Sequence, residues 1–138
     1  MTEVSSDTPV GSELASSLTV RPAFILFLEG EEFDAALGNL VTWVEDLLVP
    51  VYVGEHTSSS PWCTRWWLHV DAIAYLYSLW MAWQEMTSPT EGMCAPANWH
   101  RDYLQTAMTT LRDSSGPFAG CKPGSHRDKR PMVDAIAS

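Results

Sequence analysis

The stretch that most limits the fold begins at Pro61 and runs to about Met86, where Trp62, Trp66, Trp67, Trp80 and Trp83 stand among other apolar side chains and polar groups are few. After the first turn, Asp71, Ser78 and Glu85 recur every seven residues, so on a helix they line up as one narrow wet stripe. Val70, Ile73 and Tyr77 spread round the rest of the cylinder, and a helix that is apolar on most sides has to be surrounded. Such a segment is either the central helix of a bundle or is covered in part by another chain. Pro61 suits its first turn, where an amide has no intrahelical partner, and Ser60 suits its cap. The pattern predicts a helix over 61–87.

Two further helices can flank it. Phe33, Leu37, Leu40, Val44, Leu47 and Leu48 return at three- and four-residue steps, which predicts an amphipathic helix over 31–49. Glu31, Glu32 and Asp34 suit the positive end of its dipole, and Pro50 is expected to stop it. Val51-Tyr52-Val53 then reads as extended and 54–60 as a polar loop. Asn98 can cap a third helix over 98–113, with Trp99, Tyr103, Leu104, Ala107, Met108 and Leu111 on its apolar face and Gly116-Pro117 beyond its end. The run Ala23 to Leu28 suits a short strand or the first turns of a helix equally well. The fold class predicted is all-α, a small three-helix core with a long Trp-rich central helix and at most a short extended segment. Residues 1–19 read as a flexible acidic arm, 20–127 as a single helical domain, and 128–138 as a flexible tail; the mix of Pro, Gly and bases already reads as solvated from Lys122.

Charge narrows the partners. The net charge of −9 is uneven: residues 1–60 carry ten acids against Arg21 alone, while 61–138 carry seven of each sign. Such a chain repels a nucleic-acid backbone at long range, so a protein partner or a second copy of the chain is expected instead. The longest uncharged apolar run, Ala72 to Trp83, falls short of the ~20 residues a membrane helix needs, and no secretory pattern opens the sequence. A cytoplasmic protein is the expectation. Three cysteines, Cys63, Cys94 and Cys121, are an odd number in a chain long enough to fold without staples, so reduced thiols are expected.

Chemistry concentrates on Cys63, His69, Cys121 and His126, since two thiolates and two imidazoles can close a tetrahedral structural zinc site. The intervals are Cys-x5-His and Cys-x4-His, and residues six apart on one helix do not share a face, so Cys63 has to sit ahead of the helical turns. Cys94 and His100 repeat the first interval and can stand in for either pair. No Gly-rich phosphate loop, serine elbow or His-Glu-x-x-His run is present, and no catalytic or cofactor-binding residue is assigned. The tryptophans are expected mainly in the core, with Trp66 and Trp83 as anchors for a partner. These features suggest a non-enzymatic binding or assembly module. The alternatives are a small helical enzyme using Cys63 and His69, or an acidic mimic of DNA.

Trp62-Cys63, Trp66-Trp67, His69, Leu79-Trp80-x-Ala82-Trp83, Gly92-Met93, Trp99, Arg101-Asp102, Met108, Gly116-Pro117-Phe118, Gly120-Cys121 and His126-Arg127 form one extended pattern. It resembles a family of small actinobacterial proteins of unknown function, whose members often occur on plasmids and other mobile elements. The likeness covers about residues 33–127. It implies a plasmid or phage setting and the same four metal ligands, Cys63, His69, Cys121 and His126. After Asp102 family members tend to carry further histidines, where this chain has Tyr103 and Ala107.

Overall fold

In the computed structural model residues 23–128 are described, so the expectations for the arm 1–19 and for the chain beyond 128 lie outside the described residues. A short 3-10 turn, Ile25–Phe27, opens the described chain and resolves the strand-or-helix ambiguity there in favour of a helical turn. Helix α1 spans Gly30–Trp43 and continues without a break as π-helical turns over Val44–Val53. A second 3-10 turn, Trp66–Leu68, leads to α2, Val70–Met86. The last helical stretch comprises α3 (Ala95–Asn98), π-helical turns (Trp99–Leu104) and α4 (Gln105–Leu111). The described residues contain no strand, only isolated bridges at Thr57/Ser60 and Lys122/Ser125, so the all-α reading is correct.

α1 begins with Glu31 and Glu32 at its positive end, as expected, and turns Leu40, Trp43, Val44 and Leu48 into the core. Pro50 does not stop it. A proline ring collides with the carbonyl four residues back only when the turn has α geometry, and the wider π turn relieves that collision. The helix therefore carries Val51, Tyr52 and Val53, which are not extended, and ends at Gly54, whose φ of 67° glycine takes readily. From Gly30 to Val53 this makes a helix of 24 residues, whose most apolar 18 residues have a mean hydropathy of 1.3, long and apolar enough to cross a membrane by length and composition alone. One face of it is packed inside the domain, through Leu40, Val44 and Leu48.

α2 is central and shorter than predicted. Ala72, Ile73, Leu76, Tyr77 and Leu79 are buried, while Asp71, Ser78 and Glu85 form the expected exposed stripe. It starts at Val70 rather than Pro61 because His69 is extended (φ −104°, ψ 112°), which separates the helix from the turn before it. Ser60 caps nothing; its backbone bridges Thr57. Asn98 likewise lies inside α3, with Cys94 at the cap position and Pro96 in the first turn. Around the core, Trp43 packs its ring 6.5, 5.7 and 6.4 Å from those of Trp80, Trp83 and Trp99. Arg112, just past α4, donates hydrogen bonds to the carbonyls of Val53, Glu55, Ser60 and Pro61 and so holds the loop after the first helix.

Candidate metal centre

Two segments far apart in sequence meet beside α2. The first, 62–69, brings Cys63 ahead of the helix and His69 at its cap position, which is the arrangement the Cys-x5-His interval demanded. The second is a tight turn. Lys122 and Ser125 exchange backbone hydrogen bonds of 2.8 Å each, with Pro123 and Gly124 (φ 78°) at the corner, the residue pair a type II turn favours. This reversal returns His126 to Cys121, so the stretch from Lys122 is structured as far as it is described. Gly120 is needed as well, since its φ is 85° and a side chain there would run into Arg127.

Cys63, His69, Cys121 and His126 offer ligand atoms that all lie within 4.8 Å of one another. Cys63 Sγ is 3.3 Å from His126 Nδ1, and Cys121 Sγ is 3.5 Å from His69 Nε2 and 3.9 Å from His126 Nδ1. His126 Nε2 is 2.6 Å from Asp128 Oδ1, and the Arg127 amide donates to Cys121 Sγ at 3.3 Å. Both thiols and His69 are buried, and the thiols form no disulfide. Cys94 and His100 stand outside the cluster: Cys94 is exposed, and His100 lies 2.7 Å from both the Tyr52 hydroxyl and the Pro96 carbonyl. The ambiguity among the ligand pairs is thereby removed.

Domain of unknown function (DUF4913) matches residues 37–137. The chain belongs to the DUF4913 family. No curated protein and no solved structure matches it. All four candidate ligands of this DUF4913 domain fall inside the matched span, whereas the acidic first turn of α1 precedes it.

Burial pushes the Cys63 thiol up to about 11, with the neighbouring Cys121 adding to the effect and the Arg65 amide opposing it.

The proposed anchors are placed unequally. Trp66 is fully buried, with its Nε1 donating to Glu45 Oε2 at 2.9 Å, so in this structure it is a core residue and not a surface for a partner. Trp83 is half-buried against Trp43. Sequence reasoning passed over Trp67, whose ring lies 5.7 Å from that of Trp66 and lines a cleft of about 310 Å³ with Asp34, Leu37, Gly38 and Val41. Asp34, Leu37, Gly38 and Val41 follow the i, i+3, i+4, i+7 spacing of one helix face, and that spacing was the signal available. Nothing lies within 4 Å of where a Gly38 side chain would sit.

Proposed function

We propose that this DUF4913 domain is a non-enzymatic binding module whose cleft over Gly38 receives a basic, apolar-anchored segment of a protein partner. The observation that carries this is the cleft itself. Leu37, Val41 and Trp67 give it apolar walls, Gly38 lets a backbone approach closely, and Asp34 stands at its edge. Between residues 23 and 60 there are seven acids (Glu29, Glu31, Glu32, Asp34, Glu45, Asp46 and Glu55) and no Lys or Arg, so charge favours a cationic partner and disfavours nucleic acid. Gly38 supports the same reading, because a helix-interior glycine with ordinary backbone and nothing packed on it costs about 0.5–1 kcal/mol that the isolated fold does not need. We take the module to act in the cytoplasm. The likeness of its sequence to proteins of mobile elements supports seeking the partner in a plasmid or phage process.

The reading is tested by placing a photo-crosslinking amino acid at position 38 and irradiating cells of the native host, with exposed position 78 on the wet stripe of α2, outside this cleft, as control. The expected result is one protein joined at 38 but not 78, through a peptide in which Lys or Arg flanks an apolar residue. Its yield should fall in high salt and with Trp67→Ala. Crosslinks to a second copy of the chain alone would replace the partner with a homo-oligomer. A salt-sensitive complex with a DNA-handling protein that ignores Trp67 would favour DNA mimicry. Either outcome rejects the cleft as a receptor for a cationic partner.

A further inference from the structure

We propose that Cys63, His69, Cys121 and His126 hold one zinc ion, and that this ion locks the Lys122–Ser125 turn to the segment that presents Trp67. The inference is independent of what binds in the cleft. In a tetrahedral site with Zn–S near 2.3 Å and Zn–N near 2.0–2.1 Å, neighbouring ligand atoms stand about 3.3–3.8 Å apart. The sulfur–nitrogen separations of 3.3, 3.5 and 3.9 Å straddle that range, and the widest separation among the four ligand atoms, 4.8 Å, closes with a movement of about 1 Å. Paired thiol–imidazole hydrogen bonds alone would need two contacts; here His126 Nδ1 faces both sulfurs.

The groups behind the ligands point the same way. A proton on His126 Nε2, donated to Asp128, leaves the Nδ1 lone pair facing the thiols, the tautomer a metal requires. The Arg127 amide donates to Cys121 Sγ at 3.3 Å, a hydrogen bond that a metal-bound sulfur can also accept. On binding, Zn²⁺ displaces the two thiol protons, and two thiolates with two neutral imidazoles bring the centre to zero net charge. A neutral centre is compatible with burial of both sulfurs and His69. Four protein ligands leave no open position, which marks a structural metal and not a catalytic one. The linkage joins residues 63 apart in sequence at Cys63 and His126, and its Cys63 and His69 flank the Trp66–Leu68 turn.

Native mass spectrometry of protein kept reduced and grown with zinc should show one zinc per chain, lost in Cys121→Ser. Because that variant can fail to fold, Asp128→Asn provides the second arm. It leaves all four ligands in place and should weaken zinc by about 10–100-fold while keeping the helical circular dichroism. Replacing zinc with cobalt should give intense tetrahedral visible bands and thiolate charge-transfer absorption in the near ultraviolet. A metal-free protein whose melting temperature does not respond to zinc or to chelator would overturn the proposal. So would a pale, six-coordinate cobalt spectrum, or Asp128→Asn binding zinc as tightly as the parent.

Discussion

Two buried indoles whose rings lie 6.4 Å apart differ in the fate of a single N–H: that of Trp99 donates to the Leu79 carbonyl at 3.1 Å, while that of Trp43 has no partner among the described residues. Replacing each with Phe removes comparable apolar volume, so the difference isolates the hydrogen bond. Trp99→Phe is expected to destabilise by about 1 kcal/mol more than Trp43→Phe, because it gives up a hydrogen bond that is made whereas Trp43→Phe removes a buried N–H that has no partner, and urea midpoints would measure it. Equal losses would mean that the Leu79 bond contributes nothing. Arg112 acts on four carbonyls at once through a planar fork that an ammonium does not reproduce. Arg112→Lys should therefore cost on the order of 2 kcal/mol and loosen residues 54–60, read out by amide exchange in that loop. A pH effect follows from Cys63. In the folded, metal-free protein its thiol sits near 11 against an ordinary 9.0, so the unfolded chain releases that proton first. The stabilisation is complete below pH 9 and is lost as pH rises towards 11. Chelated protein should lose more stability across that window than Cys63→Ala does, and parallel curves would contradict the assignment.

At the scale of elements, α1 carries the testable conflict between stability and binding. Gly38→Ala meets nothing within 4 Å, so the isolated protein should gain about 0.5–1 kcal/mol while partner capture through the cleft falls. A variant that gains stability and keeps full capture would remove Gly38 from the interface. The same helix shows what a sequence can and cannot disclose. Its apolar period and its acidic first turn are properties of side chains, and both are legible. Its length is not, because the rule that proline ends a helix presumes α geometry, and Pro50 sits in π turns. The error at Trp66 and Trp67 has a similar origin: continuous α geometry was assumed from Pro61, but a 3-10 turn and an extended His69 intervene, burying Trp66 and leaving Trp67 at the cleft. Chemical type alone exposed the four ligands, whereas excluding Cys94 and His100 required the fold. Arg112 had no signature at all, since its acceptors are backbone carbonyls that any residue supplies.

For the whole molecule, the four ligands join the entry to the central helix with the turn that follows the last helix. The polypeptide between them contributes α2 and α4, whose buried residues already share one apolar core, so the metal is expected to secure the ends of that unit more than its middle. The first helix, which carries acids of the cleft, meets the first metal-binding segment through the Trp66 Nε1 bond to Glu45 and through Trp67, which lines the cleft with Asp34, Leu37, Gly38 and Val41. Amide exchange on the whole protein, with zinc and after chelation, tests the account most directly. Zinc should raise protection across 62–69 and 121–128 by at least about tenfold, one factor of ten being about 1.4 kcal/mol, with a smaller change in the middle of α2. Protection in those two segments that is unchanged by adding or removing the metal would contradict it.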